Sequence, residues 1–335
     1  MAEKLSFHFE GSIADQNKMN FYEAARFQYA AARLMVKLAQ FRQQGSFVKN
    51  ITNVSNFDIN LSSHRAGSFN INVEDNTKKS SAGNFVDASM SDLISYVGER
   101  VIGKIDESSL DKTLIEAFTQ TAAGEAVTVS VDGGAGPSIT SALDKLVEAY
   151  VDNSDIANEW PSQIKDLVTR RLAEMVRARR LEEQKSDLSK IDLLRDQKLI
   201  SMSAPLIGEM ATALRKSADT LEIRSSFHSR QSPVLFLDQK MAKEIEAAVV
   251  DKDITTILCD VIQFNKDNGW GKVKIDNGSK TISFNIPSDV MPIMKQKLID
   301  SMRKDLVYLQ TYFVRDKAKQ VIRLIAVGVL PTPSN

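Results

Sequence analysis

The sequence predicts an α+β protein with an N-terminal antiparallel sheet and its helices, a helical middle, and a C-terminal OB-like five-stranded β-barrel. Three observations carry this reading. Apolar residues alternate at the start of the chain and again before residue 75, as half-buried strands require. The middle third is patterned with a helical period throughout. The last third runs β-β-β-α-β-β, the order in which an OB barrel places its helix between the third and fourth strands. Domains are expected at 1–151 (α+β), 152–235 (helical) and 236–335 (barrel with a leading helix).

Leu5 to Phe9 is apolar at every second position and reads as a strand closed by Gly11 and Ser12. Phe21 to Gln44 follows as a helix, with Asn20 as its N-cap and Gly45 as its C-terminal stop. Apolar residues occupy much of its circumference, so it should be largely buried and cover one face of a sheet. Phe47–Ile51, Phe57–Leu61 and Ser68–Val73 alternate again and predict an antiparallel meander. After a polar loop over Asp75–Asn84, helices are expected at about 87–102 and 108–122, then a β-type run over Val127–Val131. Helical patterning resumes over Ile139–Val151.

In the middle, Gln163–Gln184 reads as one helix, with Pro161 tolerated at its start. Leu188–Met202 and Pro205–Ala218 read as two more. Arg170, Arg171, Arg177 and Arg180 make a basic cluster on the first of these but form no single stripe. The cluster is therefore expected to be a solvated face with acidic partners such as Glu182 and Glu183, a phosphate- or subunit-facing helix being the alternative.

Leu221–Ser225 is compatible with a strand and Arg224–Pro233 with a loop. Asp238 caps a helix through Val250. The barrel strands are then Thr255–Phe264, Gly271–Ile275, Lys280–Ile286, Leu306–Val314 and Val321–Leu330, with a helix over Asp289–Met302.

Composition narrows the function classes. The 335 residues hold 43 basic and 43 acidic side chains, so no global field draws the chain to nucleic acid or repels it. The charge is graded, however, from −4 over 1–150 through zero over 151–250 to +4 over 251–335, which makes the C-terminal part the better anion contact. One cysteine, Cys259, excludes an intramolecular disulfide and a cysteine-cluster metal site. With only His8, His64 and His228 besides, no metal and no cofactor is expected. Neither a secretory signal nor an 18-residue apolar span is present, so a cytoplasmic protein without membrane contact is expected.

The hairpin Phe264–Lys272, with its Asn268-Gly269 turn, resembles the first hairpin of cold-shock-type OB domains. In that family, aromatics stack unpaired bases and lysines meet phosphates. The resemblance implies base stacking by Phe264 and Trp270 and phosphate contact by Lys266, Lys272 and Lys274. The run of closely spaced aromatics that builds the base platform is missing. The same residues also fit a plain turn whose aromatics cover the barrel ends, or a surface for a protein partner.

The glycine-dense Asp132–Ser138 lies where a phosphate loop would lie. It fits neither the Walker nor the dinucleotide spacing, and Pro137 removes an amide, so a structural loop is expected. No HExxH, GxSxG, CxxC or kinase signature occurs. Cys259 sits in an expected barrel strand, where a thiol packs. His228, in a polar loop with serines and Arg230, is the one histidine with an acid–base or anion role to consider.

Phe9-Glu10-Gly11, Tyr22–Arg26, Ala66–Phe69, Ile262–Lys272, Ile282–Asp289 and Phe313–Asp316 together resemble a family of uncharacterised bacterial proteins. Its members join an α+β N-terminal domain to a small C-terminal barrel and are similar to components of phage-defence loci. The resemblance spans both ends of the chain and fades in the middle. The expectation is a non-enzymatic binding or assembly subunit, homo-oligomeric, whose barrel contacts single-stranded nucleic acid or a protein partner. The alternatives are a metal-dependent hydrolase or nuclease with scattered acids, and a self-assembling structural protein.

Overall fold

The strand Glu3–Glu10 (β1) is the centre of the N-terminal sheet. Its inward residues Leu5, Phe7 and Phe9 are at most 1% exposed, while Lys4, Ser6 and His8 point to the other face. Helix α1 (Phe21–Gln44) covers the inward face, with Phe27 edge-on to Phe7 and Phe9 at 5.4 and 4.9 Å. Burying each such ring is worth about 1.5–3 kcal/mol. The expected caps are present. The Asn20 side chain accepts from the amides of Tyr22 and Glu23, and Gly45 ends the helix at φ +68°. A Cβ there would lie 2.9 Å from the Phe85 ring, so this position needs glycine twice over.

The computed structural model describes residues 3–52, 59–62, 70–77, 83–105, 110, 112–124, 139–227, 230–275, 280–303, 306–316 and 319–330. The Val127–Val131 run, the Asp132–Ser138 loop, His64 and His228 lie outside these residues.

β2 (Ile59–Ser62) and β3 (Asn70–Asp75) follow α1. Phe47–Ile51 is not a strand. Its backbone is tied to α1 side chains instead, with Lys37 Nζ donating to the carbonyls of Val48 and Lys49 at 3.1 Å and Gln40 Oε1 accepting the Val48 amide. The sheet is completed from far along the chain by β4 (Thr220–Phe227) and β5 (Arg230–Asp238), giving the antiparallel order β2-β3-β1-β4-β5. The loop expected over Arg224–Pro233 is therefore a hairpin. Arg224, Ser226 and Gln231 face the open side of the sheet, Ser225 and Ser232 turn to Arg180 on the helix side, and Pro233 is tolerated because β5 is an edge strand beside a register shift at Ile223/Arg224.

Helices α2 (Met90–Val101), α3 (Lys112–Gly124), α4 (Ile139–Asp152), α5 (Ser162–Glu183) and α6 (Leu193–Ala211) lie between β3 and β4. Ser89 and Asp92 form a capping box on α2. α6 runs straight through Pro205, where the sequence suggested two helices, and it packs against both α1 and α2. Those contacts offset the roughly 3 kcal/mol that an interior proline removes.

The chain forms two compact units, Met1–Gly103 with Arg177–Asn335, and Lys104–Val176. The second is helical, with a core that includes Phe118, Leu143, Leu146, Ile164 and Val168. These units do not coincide with the sequence segments ending at 151 and 235, because the first gathers both sheets.

The barrel follows α7 (Gln239–Ala247), whose N-cap is Asp238, and a two-residue strand β6 (Val249–Val250). Its strands are β7 (Thr255–Phe264), β8 (Trp270–Ile275), β9 (Lys280–Asn285), β10 (Val307–Arg315) and β11 (Val321–Leu330). They close in the order β7-β8-β9-β11-β10 and back to β7, with β9 and β11 parallel and the other pairs antiparallel. Helix α8 (Met291–Ser301), between β9 and β10, sends Met294 and Leu298 into a core with Val273, Phe284 and Leu324. This is the OB-like arrangement expected from the element order. Among the described residues no helix is long and apolar enough to cross a membrane.

Candidate functional site

The β8–β9 face of the barrel is where the sequence-predicted contact residues come together. β8 alternates Val273 into the core with Lys272 and Lys274 outward. Their cross-strand neighbours on β9 are Ser283 and Thr281, so the face is polar and carries two ammonium groups. Lys266 is exposed in the β7–β8 turn, which Gly269 makes at φ +77°. Asp260 is the β7 partner of Lys274 and lowers the local charge.

The two aromatics are placed differently. Phe264 lies against Phe284 with ring centroids 6.2 Å apart and planes at 13°, and packs on the barrel core. The ring fits because Gly271 is its cross-strand neighbour; a Cβ there would fall 2.4 Å from Phe284. Trp270 is only 6% exposed, with Lys272 Nζ 5.4 Å from its ring centroid. Trp270 is buried and half-buried Phe264 has one side against Phe284, so this barrel face presents chiefly charge and hydroxyls rather than a stacking platform.

The basic cluster on α5 is mostly buried, not solvated. In the helical unit, Arg171 Nε donates to Asp144 at 2.6 Å and its Nη1 to Glu174 at 3.3 Å, and Arg170 lies 3.6 Å from Glu174. In the larger unit, Arg177 is 2% exposed and donates to Glu99 at 2.7 Å. Arg180 donates to the hydroxyls of Ser91, Ser225 and Ser232. Only the flanking Arg179–Glu183 pair matches the expected exposed i,i+4 arrangement. Charged residue types at helical spacing do not report burial, and besides the local Glu174 the partner carboxylates Asp144 and Glu99 lie tens of residues away.

A buried ionic network that sequence reasoning missed joins the barrel to the helices of the same unit. Arg100 on α2 donates bidentately to Asp289 at 3.0 and 2.7 Å, and its Nε lies 2.7 Å from Asp196 on α6. Tyr96 and Tyr312 hydroxyls donate to the two oxygens of Asp196 at 2.7 and 2.8 Å. Glu99 accepts from both Arg177 and the Ser288 hydroxyl. Burial works against the Arg100 charge, but Asp196 and Asp289 outweigh it and hold its pKa well above the ordinary value. Burial, reinforced by Asp196, pushes the Tyr312 hydroxyl up as well, so it stays a donor. Each carboxylate in it is met by a guanidinium, and Arg100 Nε, which makes no hydrogen bond, still has Asp196 at 2.7 Å, so the network reads as a fastening.

Cys259 is 1% exposed, its thiol faces the Val307 carbonyl at 3.6 Å, and burial pushes its pKa up to about 12. It packs and does not act as a nucleophile. Among the described residues no group of three or more His, Cys, Asp or Glu side chains is placed to hold a metal ion. No protein-family model matches the chain, and no curated protein or solved structure matches it either.

Proposed function

We propose that the protein is a non-enzymatic binding subunit whose barrel contacts single-stranded nucleic acid through its sugar-phosphate backbone. The observation that supports this is the placement of Lys272 and Lys274 side by side outward on β8, with exposed Lys266 in the preceding turn. That is the strand-two and strand-three side by which OB barrels take oligonucleotides. Because Phe264 and Trp270 are packed, the contact is electrostatic and tolerant of sequence. Fluorescence anisotropy with labelled single- and double-stranded oligonucleotides tests it. Binding to the single strand that weakens steeply between about 50 and 200 mM salt is expected, with a log–log slope of about −0.7 per phosphate neutralised, and absence of binding at the lower salt overturns it.

A second reading, a protein partner for the barrel, is favoured by a neighbouring surface. Half-buried Tyr308 on β10 lies between its cross-strand partners Leu258 and Leu330, which are 43% and 37% exposed. Saturable binding to a partner that survives high salt and Lys272→Gln would favour that reading. A place among phage-defence proteins rests on the sequence resemblance alone.

A further inference from the structure

The open face of the N-terminal sheet has the chemistry of a second site, independent of the barrel. The register fixes a grid of outward side chains on three strands. Lys4 on β1 lies between Glu74 and Ser226, Ser6 between Asn72 and Arg224, and His8 between Asn70 and Glu222. Ser6, at the centre, is the short side chain, and the longer groups around it enclose a hollow of about 380 Å³. That volume is in the range of about 300–1,000 Å³ typical of small-molecule sites.

The lining is rich in donors. Lys4, Arg224 and His8 supply cationic or protonatable nitrogens, Asn70, Asn72 and Gln231 supply carboxamides, and Ser6 and Ser226 supply hydroxyls. Glu74 is the one carboxylate in the lining, and Lys4 lies 3.0 Å from it. Each cation is already partnered, Lys4 by Glu74 within the lining itself. Arg224 pairs with Glu222, and His8 is held by Asn70 at Nδ1 and by Glu10 at 3.3 Å from Nε2. The hydrogen bond to Glu10 raises the His8 pKa despite burial and the nearby Arg224 charge. Among the described residues no Phe, Tyr or Trp ring lines the hollow, so the flat face of a base or sugar has only the His8 imidazole to meet. Donors converging from three strands on one concavity suit a compact anion with several acceptor oxygens.

We propose that this hollow binds the phosphate group of a small molecule, with Arg224 and Lys4 as the charged contacts and Ser6 and Asn72 beneath it. The shared chemistry is a phosphate, supplied either as the free ion or as a monoester whose remainder fills the rest of the space.

Isothermal titration of the full chain at low ionic strength and pH 6.5 tests this with inorganic phosphate, glucose 6-phosphate and adenosine monophosphate. Binding of at least one probe is expected, weakened tenfold or more by Arg224→Gln and by Ser6→Leu, which fills the hollow from a half-buried position on its floor. Lys272→Gln/Lys274→Gln on the barrel should leave that binding unchanged. Equal affinity for all three probes would identify the free ion, and tighter binding of one ester would identify a monoester. If Ser6→Leu failed to fold, Arg224→Gln alone would decide. No heat with any probe overturns the proposal. So does binding indifferent to Arg224→Gln, or binding abolished by the barrel variant.

Discussion

Asp289→Asn isolates the fastening between the barrel and the helices. Asp289 receives two guanidinium N–H groups of Arg100 at 3.0 and 2.7 Å, and the two side chains are 10% and 2% exposed. The change is nearly isosteric, so lost packing contributes little and lost charge most of the effect. Charge-assisted hydrogen bonds contribute about 1.5–3 kcal/mol each, and stranding one member of a buried pair costs about 3–5 kcal/mol. Asp196 still faces Arg100 Nε at 2.7 Å, which sets the expectation at the lower end, about 3 kcal/mol. Urea unfolding followed by circular dichroism measures it as a fall in midpoint at constant m. The double variant Arg100→Met/Asp289→Asn should lose less than the two single changes combined, because no cation is left without its partner. A loss below about 1 kcal/mol for Asp289→Asn would mean that the pair behaves like a solvent-screened surface pair, and would refute the reasoning.

Other outcomes follow from the same geometry. Gly271→Ala should destabilise by about 2 kcal/mol or more, since its Cβ would meet the Phe284 ring at 2.4 Å and the Gln263 carbonyl at 2.5 Å; thermal denaturation reads this directly. The His8 pKa is raised in the folded protein, chiefly by Glu10. Its contribution is therefore fully present below the unfolded value of about 6.5 and lost as pH rises through the folded one. Wild type should lose more Tm than His8→Asn between pH 5.5 and 8.5, about one unit below and two above the unfolded pKa, and parallel profiles would contradict this. Cys259, with its pKa near 12, should resist a thiol reagent at neutral pH until the protein unfolds, and fast stoichiometric labelling of native protein would show the barrel strand open.

The barrel was the most legible part of the chain because its strands are consecutive and its turn signals local. Asn268-Gly269, the alternation in Lys280–Ile286 and the intervening helix are each read within a few residues. The helix Phe21–Gln44 was legible for the same reason, its caps being Asn20 and Gly45. What failed was non-local. Nothing near Leu5 indicates that β1 pairs with Thr220–Phe227, more than 200 residues on, so the polar stretch Arg224–Pro233 reads locally as a loop. Phe47–Ile51 alternates, but its backbone is bonded by Lys37 and Gln40 side chains instead of a neighbouring strand. The site was half legible. Lysine spacing on β8 gave the outward face, whereas the packing of Phe264 on the core and the burial of Trp270, Arg100, Arg171 and Arg177 depend on partners that sequence spacing does not reveal. The donor-lined hollow around Ser6 needed all three strands in register before it existed at all.

The central claim is that the barrel face holds a nucleic-acid backbone by charge. Its most direct test compares wild type with Lys266→Gln/Lys272→Gln/Lys274→Gln for the salt dependence of single-strand affinity. Three lost phosphate contacts at about 0.7 each predict a log–log slope shallower by about 2, with the folded barrel intact. An unchanged slope, or wild type that does not bind at low salt, would contradict the account and turn attention to the Tyr308 surface.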